Sequence, residues 1–194
     1  MKKFLTMMLA VLTVFTMAAC AKKQEQPPVV NQETIESVET PKTDGVQSTP
    51  SEEPMEVAQM AMDARNAYEY SGVLSLLHET CTKNVAARLR MDVEEMYAMY
   101  DENAAGIRQE TEQDKGTFTV TGQLGTQTAL EGEALTAIQE RYEDLYELTV
   151  AEAVQVEFTV SYDFESCVEE SKETMVIIQI DGMWYLDLAS IKLL

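Results

Sequence analysis

Polar residues are plentiful in this 194-residue chain, but few stand in a spacing that could carry catalysis or hold a metal. His78 is the single histidine. A nucleophilic triad or a zinc site needs a histidine held by a placed partner. In LLHET the ring follows Leu76 and Leu77 on a short helix, and it reads first as a helix histidine. No H-E-x-x-H, C-x-x-C or G-x-S-x-G spacing occurs. The acidic clusters Glu94-Glu95, Asp101-Glu102, Glu110 to Asp114 and Glu165 to Glu170 lack the D-x-D-x-D-G spacing of a calcium loop. They read as solvated faces. Lys83, Arg88 and Arg90 form the one basic cluster, which offsets neighbouring acids or grips a carboxylate. Gly122 and Gly125 form a G-x-x-G without the lysine of a phosphate loop, so a bulge or strand end is expected there. No catalytic residue, cofactor or metal is expected from these spacings.

Two constellations remain. Tyr97, Tyr100, Tyr142 and Trp184 line a candidate pocket between helices and sheet, or are simply core. The three cysteines are Cys20, Cys81 and Cys167. Cys20 ends the run MKKFLTMMLAVLTVFTMAAC. Lys2 and Lys3 form a basic start, Phe4 to Ala19 is an uncharged apolar run, and Ala18 and Ala19 are small. That is the pattern of an export signal. The apolar run reaches roughly 24 Å as a helix, short for a hydrocarbon core of about 30 Å; an uncleaved anchor is the alternative.

Small residues, then cysteine, then a polar stretch resemble the lipobox of bacterial lipoproteins, with Met17 where that family usually has leucine. The resemblance implies lipidation of Cys20, cleavage just before it, acylation of the new N-terminus (palmitate is the usual chain), and a cell-membrane protein on the extracytoplasmic face. Two or more acyl chains anchor stably where one does not. Cys81 and Cys167 are then a candidate disulfide outside the cytoplasm, or two buried thiols.

Charge excludes one class of partner. The formal net charge is -20, and losing Lys2 and Lys3 with the signal takes it to -22. Such a chain repels phosphates, so no nucleic acid is expected. An anionic membrane surface is equally unattractive, which leaves the N-terminal lipid as the membrane contact.

The elements that must position these residues begin late. Composition divides the chain into a signal (1–19), a disordered linker (20–54) and a domain (55–194). All five prolines fall between 21 and 54, and no aromatic residue occurs between Phe15 and Tyr68. Such a segment buries too little apolar area to offset its ordering entropy. The following 140 or so residues are an ordinary single-domain length.

Pro54 suits the first turn of a helix, followed by Val57, Met60, Ala61, Ala64 and Tyr68 at helical spacing. Ser71-Gly72 breaks that pattern, and VLSLLHETC reads as a second, short helix with Val73, Leu76 and Leu77 inward. Asp92 and Glu95 form a capping box, with Val93, Met96, Tyr97, Tyr100, Ala104 and Ile107 as the stripe behind it. Leu135, Ile138, Tyr142, Leu145 and Tyr146 mark a fourth helix. A strand is expected from Thr117 to Leu124. Val154, Val156, Phe158, Val160, Tyr162 and Phe164 alternate as one face of another. TMVIIQI, Asp181-Gly182 and MWYLDLASI then read as a hairpin whose turn needs positive φ twice.

The reading is α+β: N-terminal helices packed on a curved antiparallel sheet that ends in a three-strand meander. The terminal I-x-I-D-G-x-W-Y-L-D hairpin, carried by Ile178, Ile180, Asp181, Gly182, Trp184, Tyr185 and Leu186, resembles the cystatin-like, nuclear-transport-factor-two-like superfamily. Many small exported lipoproteins carry such domains. The resemblance implies a cone between helices and sheet, in which enzyme members place an Asp–His or Asp–Tyr pair. No such pair is matched here. The functional expectation is a lipid-anchored envelope protein with a non-catalytic binding role, its partner an envelope protein or small ligand, monomeric or weakly dimeric. The alternative is a small hydrolase or isomerase using the cone, with His78 as its acid–base group. A dimer through the open sheet face, near Met175, Ile177 and Tyr185, is a third reading.

Overall fold

A computed structural model describes residues 49–190. The signal segment, Cys20 and residues 21–48 of the expected linker lie outside the described residues. The chain is α+β: helices come first, followed by a curved antiparallel four-strand sheet in the form of a half-barrel.

The chain enters along the sheet edge. Ser51, in the segment that composition assigns to the linker, is buried and bridges Trp184, exchanging backbone bonds of 3.3 and 2.8 Å. Its hydroxyl accepts from the Glu53 amide and donates to Glu56, preparing the start of α1 (Pro54–Ala67). Pro54 occupies the first turn, where its missing N–H costs nothing. Tyr68, at φ 61°, ends the helix in the left-handed region. The break therefore precedes Ser71-Gly72, which lie inside α2 (Tyr70–Leu74). Gly72 is needed for approach rather than for a turn: a Cβ there would stand 2.9 Å from the Ala64 Cβ.

VLSLLHETC is not one helix. Val73 and Leu74 form the end of α2, Leu76 and Leu77 are buried in the connection, and His78 caps α3 (Glu79–Leu89). Asp92 and Glu95 form the expected reciprocal capping box on α4 (Val93–Lys115), with bonds of 2.7 and 3.1 Å. Strand β1 (Phe118–Ala129) runs five residues beyond Leu124, because backbone pairing to β2 continues where apolar alternation stops. The register shifts between Leu124 and Gln127, a bulge at the second glycine of the G-x-x-G.

After α5 (Gly132–Tyr146) come β2 (Glu152–Phe164), β3 (Val168–Ile180), β4 (Met183–Leu186) and a 3-10 turn over Leu188–Ser190. The sheet order is β1-β2-β3-β4, each pair antiparallel. Asp181 and Gly182 turn between β3 and β4 with φ 53° and 81°, the two positive angles expected of the hairpin.

The main core gathers Val57, Ala58, Leu74 and Met96 from the helices, with Leu76 and Leu77 from the α2–α3 connection, against Val154, Val156, Ile177, Ile178 and Ile180. Met175 and Ile177 belong to this core and offer no open apolar face to a partner. A second cluster of Phe118, Phe164 and Cys167 closes the other end of the sheet. There Arg108 lies over Tyr68 and Phe118, and Lys115 over Phe164, with centroid distances of 5.2–5.6 Å. These contacts pin the C-terminal half of α4 to the β1–β2–β3 end, with Lys115 also paired to Glu169 at 2.8 Å.

Candidate functional site

The concave side of the sheet faces α1 and α2, and the side chains that reach into it are mostly apolar. A cavity of about 50 Å³ remains, floored by Ala61, Val73, Phe158, Met175 and Leu186. At its polar rim the Arg65 guanidinium donates to Glu173 at 2.8 Å and lies 5.4 Å from the centre of the Phe158 ring. Ser171 donates to the same Glu173 oxygen. Burial works against the Arg65 charge, but the Glu173 hydrogen bond and charge outweigh it and leave the pKa raised. Burial pushes the Tyr70 hydroxyl up, as it does Tyr162 beside it. A space of this size holds a few waters. Sites for metabolite-sized ligands run to about 300–1,000 Å³. The one carboxylate of this lining, Glu173, is engaged by Arg65 and Ser171.

A second polar constellation was not anticipated as a unit. Asp187, 3% exposed, follows β4 in the hairpin motif itself. Its two carboxylate oxygens accept from Arg141 at 2.8 Å each. Tyr142 donates its hydroxyl to one of them at 2.9 Å, and the Ala189 amide reaches the same oxygen at 3.3 Å. The Tyr142 oxygen in turn accepts from the Leu188 amide at 3.4 Å. Burial pushes the Tyr142 hydroxyl far above its ordinary range, with the Asp187 charge acting in the same direction. Cys81 lies beside this tyrosine, and burial pushes its thiol up to about 12. This is an Asp–Tyr pair. Both Asp187 oxygens are engaged, however, and a general base needs a lone pair facing its substrate. The geometry instead ties α5 to the turn after β4.

His78 has a structural task as well. Its Nδ1 accepts from the Thr80 amide at 3.2 Å, so the ring caps α3. Its ring also meets Tyr185 edge-on, with centroids 5.0 Å apart. Burial lowers its pKa, which agrees with a nitrogen that must stay unprotonated to cap.

The other expected residues disperse. Tyr142 and Trp184 are buried; Tyr97, whose hydroxyl bonds to Thr82, and Tyr100 pack on the core from α4. None of the four lines the concave cavity. Cys81 carries a free thiol, so it is not bridged to Cys167. The physical reason is placement: Cys81 belongs to the main core and Cys167 to the second cluster. Lys83 pairs with Glu79 one turn away, while Arg88 in the last turn of α3 and Arg90, the left-handed residue that ends it, are exposed. Among the described residues, no group of three or more His, Cys, Asp or Glu side chains is placed to hold a metal ion. Nor is any helix among them long and apolar enough to cross a membrane.

What sequence reasoning missed was Arg65–Glu173 and Arg141–Tyr142–Asp187. The partners lie 108 and about 45 residues apart, so no local spacing signals them. The one available cue for the second was the acidic end of the hairpin motif, where an Asp follows an apolar Tyr-Leu. No family model matches the chain, and neither a curated protein nor a solved structure is similar to it.

Proposed function

We propose that this chain is a lipid-anchored protein of the extracytoplasmic membrane face, whose cystatin-like, nuclear-transport-factor-two-like domain acts by binding rather than catalysis. The observation that carries the non-catalytic part is the use made of the acid–base groups. His78 caps a helix, Asp187 and Tyr142 satisfy each other and Arg141, and the concave cavity measures only about 50 Å³. An enzyme of this architecture needs an unengaged acid or base facing a space its substrate can enter. Support for the superfamily is coarser: helices ahead of a half-barrel sheet, closed by the Asp-Gly hairpin.

Support for the anchor lies in the residues themselves, the basic start, the apolar run and MAAC at 17–20. The proline-bearing stretch behind it serves as a spacer ahead of the domain. The partner is an envelope protein or a small ligand held at the surface of the domain.

Two experiments test the proposal separately. Cys20→Ser is expected to move the protein from the membrane to the soluble fraction and to remove the acyl mass from its N-terminal peptide. Unchanged fractionation and mass refute the anchor. For the binding role, affinity capture with membrane-anchored protein is compared with hydrolase and isomerase substrate panels. Turnover that Tyr142→Phe or His78→Ala abolishes in a folded protein refutes the non-catalytic reading.

A further inference from the structure

The sheet has two long edges that the described residues leave without a strand beside them, and they differ in kind. The β3 edge over Val168–Thr174 carries Glu169, Glu170, Lys172 and Glu173, the charges by which proteins blunt an edge against further pairing. The β1 edge carries none. From Gly116 to Leu130 the sequence GTFTVTGQLGTQTAL is uncharged, in a chain where a quarter of all residues are charged. It also lacks proline. Gln123 and every residue from Gly125 to Ala129 are exposed, so both faces of the strand's second half meet solvent.

The order of residues along this edge is self-complementary. A two-fold axis normal to a sheet keeps each side chain on its own face, so two copies pair antiparallel only where mates lie on one face. Thr119 and Thr128 are nine positions apart and would face opposite ways in a regular strand. The extra residue in the bulge between Leu124 and Gln127 reverses that: Thr119, Thr121, Gln123 and Thr128 oppose Asp163, Ser161, Thr159 and Gln155, which share one face of β2. With the axis at Gln123, that residue meets its own copy. Gly122 then meets Leu124, Val120 meets Gln127, Thr119 meets Thr128, and Phe118 meets Ala129. Thr121 falls opposite the bulge.

We infer that β1 is the interface for a second copy of this chain, paired antiparallel about Gln123 into a continuous eight-strand sheet. The strand pairs from end to end in this register, Thr–Thr and Gln–Gln contacts are favourable cross-strand pairs, and no like charges are brought opposite one another. The net charge of -20 opposes association only weakly at salt, because charges more than about 8 Å apart are screened. A single strand edge is a small interface, so the dimer is weak and concentration-dependent. This inference is independent of the lipid anchor and of the binding role.

The test uses the full chain with its native cysteines. Light scattering should give a mass rising toward twice the monomer with concentration. Gln123→Glu places two like charges directly opposite one another across the axis, on Cα atoms about 5 Å apart, and should abolish that rise while leaving the circular dichroism unchanged. Under mild oxidation, Gln123→Cys should form a covalent dimer above the wild-type background, because paired Cα atoms lie within disulfide reach. Thr119→Cys and Thr128→Cys should cross-link only when the two variants are mixed. A monomer at every concentration overturns the inference. So does self-cross-linking of Thr119→Cys, or occupation of β1 by an unrelated polypeptide while the chain stays monomeric.

Discussion

Replacing Asp187 with asparagine keeps the shape of the side chain and removes its charge. In the native protein that carboxylate receives two contacts from Arg141 at 2.8 Å and the Tyr142 hydroxyl at 2.9 Å, and it is 3% exposed. Asparagine still accepts from Tyr142 through its carbonyl, but it offers Arg141 an amide donor where an oxygen stood. The loss is therefore chiefly the charge-assisted pair. Breaking a fully buried pair costs about 3–5 kcal/mol, because the remaining charge is stranded. Arg141 is 34% exposed and can turn toward water, so most of that penalty is relieved. A charge-assisted hydrogen bond contributes about 1.5–3 kcal/mol, and we expect the Asp187→Asn loss to fall near 2 kcal/mol. For a domain of this size that lowers Tm by roughly 6–8 °C. Asp187→Ala also orphans the buried Tyr142 hydroxyl and should cost about 1–3 kcal/mol more. Urea unfolding at constant m-value measures both, and Tyr142→Phe completes a double-mutant cycle with Asp187→Ala. If Asp187→Asn lies within about 0.5 kcal/mol of wild type, the cluster is not what ties α5 to the turn after β4.

His78→Ala should cost about 1 kcal/mol as a lost helix cap, while His78→Asp, a stronger capping residue, should restore the stability. The lowered pKa of His78 means the unfolded state binds the proton more readily. Its contribution is thus present above the ordinary histidine pKa near 6.5 and is lost as pH falls through the folded value, a slope that chemical unfolding as a function of pH should show weakened in His78→Asp. Cys81, with its thiol pushed up to about 12, should resist thiol reagents at pH 8 in the folded protein and react only on unfolding. Because the raised pKa favours the neutral thiol in the fold, its contribution is present below about pH 9 and declines as pH rises toward 12. Gly72→Ala should destabilise by about 1–3 kcal/mol, since the new methyl meets the short, unyielding Ala64 side chain. Gly106→Ala in α4 has nothing within 4 Å of the new methyl and should stabilise by about 0.5–1 kcal/mol; thermal melts of the pair give opposite shifts.

Features governed by neighbours a few residues away were legible before the structure. The capping box of Asp92 and Glu95 is closed by one helical turn, and the Asp181-Gly182 turn by the two positive φ angles it demands. The alternation from Val154 to Phe164 is the direct imprint of a sheet wet on one side, and five of its six residues are buried. The helix boundary at Tyr68 was harder to see. A glycine at 72 suggested the break, whereas the chain turns on a left-handed tyrosine and uses the glycine to seat α2 against Ala64. Likewise LLHET has helical apolar spacing, but the histidine nitrogen competes for a backbone amide and begins a new helix.

By itself the sequence determined the class of the fold, the capping box of α4, the closing hairpin, the acidic surface and the residues on which an export anchor would be built. Each follows from composition or from a period shorter than a few turns of chain. Tertiary structure alone decided that Asp187 meets Arg141 and Tyr142, that Arg65 meets Glu173, and that Cys81 and Cys167 occupy separate clusters. It also decided that a polar stretch without apolar alternation would extend β1 to Ala129 and present an uncharged edge. These depend on which segments, some forty to more than a hundred residues apart, are brought together when the sheet curls around its helices. Residue type and spacing carry no record of that closure.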